Sequence, residues 1–318
     1  PLAQMSELSE FSQKLYRFWR GFCCFIPAMF VFGLPALLVA LSSPFPQEVF
    51  AMLTFVTSVL MTSNGLYMVI FAGSSVWRMR QSMQADYGRM LTDSRSSSDQ
   101  QSPYAKDADK VRHWVLLPQY KEETEVVAMA LESISKSGIA KEQISILLAM
   151  EEREQDSHEK AEMLRQQFVG KFAEVIATFH PPNLPNDPPG KASNLAWAFK
   201  HLVKHLDGKI NYNTEHVILT VSDADSEFHC GYYEGLSHFY LEANEHKRCT
   251  TIWQSPVFHV KNYHRQPMPV IVGTMFTSMQ EMACLSDPNA IRFPYSTYSL
   301  SMHLARRVGG WDAEWIAE

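Results

Sequence analysis

None of the five cysteines, Cys23, Cys24, Cys230, Cys249 and Cys284, stands in a CxxC pair, and their number is odd. This excludes a disulfide framework and a zinc site of ordinary spacing, and reads as reduced thiols on the cytosolic side. There is no basic surplus either. Lys and Arg number 28 against 34 Asp and Glu, a net charge of −6, so nothing in the overall balance speaks for nucleic acid. No internal repeat is present. Charged residues make up 19% against 46% hydrophobic, which rules out a disordered or collagen-like chain. At roughly 100–200 residues per domain, the chain has room for two domains or one with appendages. It begins at Pro1, not Met, and is expected to be a fragment.

The apolar residues are concentrated at one end. Phe22 to Leu41 carry no charge, and neither do Val49 to Val76. About 20 apolar residues span a bilayer as a helix. The short connector Ser42 to Glu48 holds two prolines and reads as a tight turn, so residues 22–80 are expected to form a transmembrane hairpin behind a cytosolic segment 1–21. A signal peptide plus a core helix is disfavoured by two charge-free runs so close together. Lys14, Arg17 and Arg20 precede the first run and Arg78 and Arg80 follow the second, while the connector has no Lys or Arg. The positive-inside rule then puts both outer flanks in the cytosol. The expectation is a multi-pass membrane protein whose remaining domain faces the cytosol.

Residues 81–110, Ser-rich from Thr92 to Asp107, read as a linker or mobile loop. Beyond them short apolar runs alternate with helical patterns. The runs are Trp114–Leu117, Ile144–Met150, Val175–Phe179, Val217–Val221 and Thr251–Trp253. Helices are expected over Thr124–Ser137, Asp156–Val169, Ser193–Leu206 and Gly231–Asn244. Continuous apolar strands alternating with helices predict an α/β domain over 111–318, a mostly parallel sheet covered on both faces. Ligands in such sheets bind beyond the carboxyl ends of the strands.

Acidic residues stand there. Pro118-Gln-Tyr120-Lys-Glu122-Glu123 follows the first run, Glu151 and Glu152 the second, and Ser222-Asp223-Ala224-Asp225 the fourth. Crowded carboxylates repel unless a cation or donor groups compensate. Asp223 and Asp225, on one face if the strand continues through them, are hard oxygen ligands suited to Mg2+ or Mn2+. Lys191, after Pro188-Pro189-Gly190, enters at a helix start, where a phosphate would also meet free N–H groups. A P-loop is excluded, because Pro185 stands at the first glycine position and Ala192 at the Ser/Thr position. His201 and His205 have zinc spacing but neither the following Glu nor a third ligand, and read as a solvated helix face. Near the end, Arg306 and Arg307 precede Gly309-Gly310-Trp311-Asp312, a helix stop and tight turn.

Together these residues resemble the membrane-anchored family 2 glycosyltransferases, relatives of cellulose, chitin and hyaluronan synthases, from about Trp114 to Glu318. Pro118, Tyr120 and Glu122 resemble the opening strand and turn. Glu151 stands where the family usually has Asp. Gly190-Lys191-Ala192-Ser193-Asn194 resembles its GKAxN element, Asp223-Ala-Asp225 its DxD motif, Thr251 to Pro256 the strand after it, and Gly309-Gly310-Trp311-Asp312 the stretch before its Glu-Asp pair. The resemblance implies a GT-A, Rossmann-like fold and an inverting, metal-dependent hexosyltransferase. The donor would be a UDP- or GDP-linked sugar, the acceptor a carbohydrate or lipid at the bilayer, and the cofactor Mg2+ or Mn2+. It further implies that Pro118, Tyr120, Glu122, Glu151, Lys191, Asn194, Asp223, Trp311 and Asp312 bind substrate. Asp225, with Asp223, holds the metal, and both count with Glu318 as catalytic positions. Glu318 matches the Glu of the acceptor-side pair. The Asp expected as general base would be the next residue, so this chain is expected to bind nucleotide sugar and to catalyse poorly or not at all. Two other classes compete. One is a non-catalytic membrane scaffold with a degenerate transferase domain. The other is a different nucleotide-using α/β enzyme such as a nucleotidyltransferase, which the membrane anchor and the Gly-Gly-Trp segment make less attractive.

Overall fold

The computed structural model describes residues 33–42, 44, 46–96, 107–185, 187–209, 213–290 and 296–311. The chain divides into two compact units, Pro1–Ile70 and Phe71–Glu318.

In the first unit, α1 (Leu34–Ser42) packs on α2 (Pro46–Tyr67). No residue of α2 is buried, and Phe50, Phe55, Leu60 and Met61 are all more than 60% exposed. Helical structure continues through a π turn, Met68–Ala72, into α3 (Gly73–Gln84). Among the described residues one helical stretch, Pro46–Gln84, is long and apolar enough to cross a membrane. It begins before and ends after the charge-free run, because the flanking Glu48, Arg78 and Arg80 are good helix formers. The first half of the other expected span, residues 22–32, lies outside the described residues, so the two-helix hairpin stays an expectation.

The second unit is mixed α/β, with a mostly parallel six-stranded sheet flanked by helices. After α3 come α4 (Tyr87–Ser96), β1 (Arg112–Gln119), α5 (Thr124–Ser135), α6 (Ala140–Gln143), β2 (Ile144–Glu151), α7 (Ser157–Gln167), β3 (Glu174–His180), α8 (Lys191–Asp207), β4 (Val217–Val221), α9 (Tyr232–Glu242), α10 (Glu245–Arg248), β5 (Ile252–Trp253), α11 (Met268–Ser286), β6 (Tyr298–Ser301) and α12 (Met302–Val308). Strand order is β3-β2-β1-β4-β6-β5. β3, β2, β1 and β4 run parallel, while β6 is antiparallel to both β4 and β5. Three differences from the sequence reading stand out. The apolar run at Thr251–Trp253 is a two-residue edge strand. Its neighbour β6 carries the pattern Tyr-Ser-Leu-Ser, too polar to announce a strand. The expected linker is helical through Ser96, and residues 97–106 lie outside the described part.

Alternation along β1 and β2 builds both layers. Val115, Leu117, Ile146 and Leu148 face α5 and α7, meeting Val127, Leu131, Ile134 and Leu164. Trp114, Leu116, Leu147 and Ala149 face α8 and α12, meeting Leu195, Phe199, Leu202 and Met302. All of these side chains are buried, at about 1.5–3 kcal/mol for each large apolar group. The parallel strands all deliver their carboxyl ends to one rim. On another side of this unit, α11 docks on α3, where Ser75 Oγ donates to the Met282 carbonyl at 2.5 Å.

Candidate functional site

The rim holds a cavity of about 480 Å³ lined by residues that follow β1, β2 and β4 and by the start of α8. A cleft of this size is ordinary for a small-molecule ligand. Its wall at β1 is shaped by Lys121, which has φ +66° in the left-handed region. Such a conformation costs a non-glycine residue free energy and needs outside support. Support comes from two carboxylates. Glu122 Oε2 accepts from the Tyr120 backbone N–H at 2.5 Å, and Glu154 Oε2 accepts from the Lys121 N–H at 3.0 Å. The buried Lys160 joins the same knot, donating to the Glu122 carbonyl and lying 3.2 Å from Glu154 Oε1. The turn thereby sets Tyr120 at the cavity edge.

At the end of β2, Glu151 is 2% exposed. Its Oε2 pairs with Arg153 Nε at 3.2 Å and with His180 Nδ1 at 3.3 Å, and His180 Nε2 reaches Asp187 Oδ2 at 3.2 Å. The guanidinium of Arg153 lies 3.7 Å over the Tyr120 ring, so Tyr120, Arg153 and Glu151 form one stacked, ion-paired assembly. Asp187 and Pro188 tie the loop before α8 in place, the latter through Ser193 Oγ donating to its carbonyl at 2.5 Å.

α8 begins at Lys191 behind an extended Gly190, which has no side chain to cap the first N–H groups. Gly190 and Lys191 line the cavity, where a helix start favours an anion. Lys191 Nζ donates to Asp223 Oδ1, with the two side chains 24% and 37% exposed. Asp223 and Asp225 line the same cavity. They do not share a strand face, because β4 ends at Val221 and Ala224 and Asp225 form a turn closed by Ser226 N–H donating to the Asp223 carbonyl at 3.2 Å. What brings both carboxylates to the cavity is this turn, anchored by the buried Ala224 in the α5-side core.

Of the residues expected at the site, Pro118, Tyr120, Glu122, Glu151, Lys191, Asn194, Asp223 and Asp225 all line the one cavity. Asn194 is 1% exposed and its Nδ2 donates to the Ala149 carbonyl at 2.8 Å, which ties α8 to β2, while its Oδ1 has no partner. Trp311 is not in the cavity lining. Its Nε1 donates to Tyr298 Oη at 2.6 Å and its ring meets Phe199 edge-on at 5.3 Å. Asp312 and Glu318 lie outside the described residues. His205 pairs with Glu174 at 2.8 Å and His201 with the Trp197 carbonyl at 2.9 Å, as helix-surface contacts. Arg153 and Gln119 also line the cavity and escaped the sequence reading. An Arg two residues beyond a strand-end Glu was the available signal for the first; Gln119 had none.

Among the described residues no group of three or more His, Cys, Asp or Glu side chains gathers as a metal cluster. The donors at Asp223 and Asp225 are nonetheless hard oxygens at a cavity wall beside an anion-favouring helix start. They fit a divalent ion that a diphosphate helps to coordinate, not one that protein groups hold alone.

No protein-family model matches the sequence, and no curated protein matches it. Among solved structures the chain is similar to the mannosyltransferase PcManGT from Pyrobaculum calidifontis, described in complex with GDP-Man and Mn2+. The identity is 13%, the match covers 78% of this chain and 60% of that one, and the TM-score is 0.42.

Proposed function

We propose that the protein is a metal-dependent glycosyltransferase that takes a nucleotide-diphospho-sugar as donor and works at a membrane face. The observation that carries this reading is one cavity lined by an aromatic ring, Tyr120, and by Lys191, Asp223, Asp225 and the start of α8. That set suits a nucleoside diphosphate, flat and weakly polar at the base, strongly anionic at the phosphates.

In this reading the diphosphate exchanges with Asp223 for Lys191, which is already within hydrogen-bond reach of the site. Asp225 and Asp223 would hold Mg2+ or Mn2+, whose contribution is to neutralise charge on the leaving diphosphate. An acceptor hydroxyl attacks the anomeric carbon with inversion. The new C–O bond forms as the bond to the diphosphate oxygen breaks, and the hydroxyl proton passes to a carboxylate base. The acceptor would be a carbohydrate or lipid.

Binding tests the proposal. UDP or GDP with Mn2+ is expected to raise the unfolding temperature of the detergent-solubilised chain, and EDTA to remove the effect. Asp225→Ala is expected to abolish the metal-dependent part. Equal nucleotide binding with and without EDTA would overturn the metal-dependent reading.

A further inference from the structure

Two cations line the cavity, and only one of them is explained by phosphate. Lys191 stands with the two aspartates; Arg153 stands with Tyr120 and Glu151. Its guanidinium carbon lies over the Tyr120 ring, 3.7 Å from the centroid. Its Nε is held by Glu151 at 3.2 Å. Its side chain is still 29% exposed, and it lines the cavity.

Glu151 is in a different position. Its side chain is 2% exposed, and the oxygen that pairs with Arg153 is shared with His180. It lines the cavity with little exposed surface, and one of its oxygens carries both ion pairs. It can orient a neighbour, and the neighbour it orients is Arg153.

Resting on the nucleotide-sugar reading above, we propose that Arg153 is the nucleobase-binding residue of the site. The base stacks on the outer face of the guanidinium, with Tyr120 backing the inner face, and Glu151 is a positioning residue that keeps the plane in register. A guanidinium suits this part because it is planar, delocalised and weakly hydrated, and base stacking on such groups tolerates either a pyrimidine or a purine. Glu151 then contributes through Arg153 and not by contact with the base.

The test is titration calorimetry on the full chain in detergent with Mn2+, using UDP, GDP and inorganic pyrophosphate as probes. Arg153→Ala and Arg153→Lys are both expected to weaken UDP and GDP by about 10-fold, or about 1.4 kcal/mol, while pyrophosphate binds as in the unaltered protein. The lysine variant separates the plane from the charge, and the pyrophosphate arm reports that the pocket is still folded. Glu151→Gln keeps an acceptor for Arg153 and is expected to stay closer to the unaltered protein than Arg153→Lys does. Arg153→Lys binding UDP and GDP normally, or Glu151→Gln losing more than Arg153→Lys, would overturn the proposal and leave the nucleotide-sugar reading standing. Failure of the unaltered protein to bind any of the three probes would remove that reading itself, and this inference with it.

Discussion

At the scale of single residues, the two cations that line the cavity differ in charge chemistry. Lys191 has Asp223 as its partner, and Arg153 shares Glu151 with His180. Lys191→Ala is expected to weaken UDP and pyrophosphate alike by about 10-fold in calorimetry, because a charge-assisted bond to phosphate is lost whatever the base. An effect confined to UDP would place Lys191 elsewhere. Away from the site, His113 titrates abnormally. Burial pushes its imidazole down to about 3 from 6.5, with the neighbouring Arg112 charge adding to it. The unfolded chain therefore binds a proton that the folded chain refuses between those values. Stability from this group is complete above pH 6.5 and is lost as pH falls toward 3. The unfolding temperature is expected to drop across that window, and His113→Gln, which can still meet Ser237 Oγ, is expected to flatten the drop. A pH profile unchanged by the substitution would show that other groups govern acid sensitivity.

At the scale of elements, the end of α12 shows a constraint that no helix propensity contains. Gly309 closes the helix at φ +85°, and Gly310 follows at φ +87° with its amide donating to the Ala305 carbonyl at 2.8 Å. A Cβ at Gly310 would stand 2.5 Å from the ring of Phe199, a core residue of α8. Gly310→Ala combines left-handed strain with overpacking and is expected to cost on the order of 2–4 kcal/mol in chemical unfolding. At Gly309 a Cβ meets nothing within 4 Å, so Gly309→Ala carries the strain alone and is expected to cost less. Equal costs at the two positions would show that Phe199 moves aside freely. This turn also explains the fate of Trp311. The sequence marks Gly-Gly-Trp as a stop and turn, yet the turn swings Trp311 onto Phe199 and Tyr298, which makes it a packing residue among the described parts.

At the scale of the whole molecule, α2 presents apolar side chains on every side, which water does not favour and a bilayer does. The full chain is expected to stay with membranes through an alkaline carbonate wash. Leu60→Asp, near the middle of the charge-free run, is expected to reduce membrane insertion, since a central Asp costs roughly 2.5–3.5 kcal/mol. Release of the unaltered chain by carbonate would mean that this helix is covered by protein. The second unit rests on different physics. Its sheet is buried by helices on both faces, and the strands converge on one rim because they are parallel.

The strands β1, β2, β3 and β4 and the helices α5, α7 and α8 were readable in the sequence to within a few residues, because uninterrupted apolar runs and helical periodicity are local patterns; the four-residue α6 is too short for a period and was not. The carboxylates at the strand ends were readable for the same reason, as residues that follow such runs. Only the tertiary structure decided what those carboxylates do. Packing buries Glu151 against Arg153 and His180, bends Asp223 and Asp225 into a turn past the end of β4, and uses Glu122 to brace a left-handed residue. Sequence order determines which side chains reach the rim; His180 comes to Glu151 from 29 positions away and Lys191 to Asp223 from 32, distances closed only when the sheet assembles.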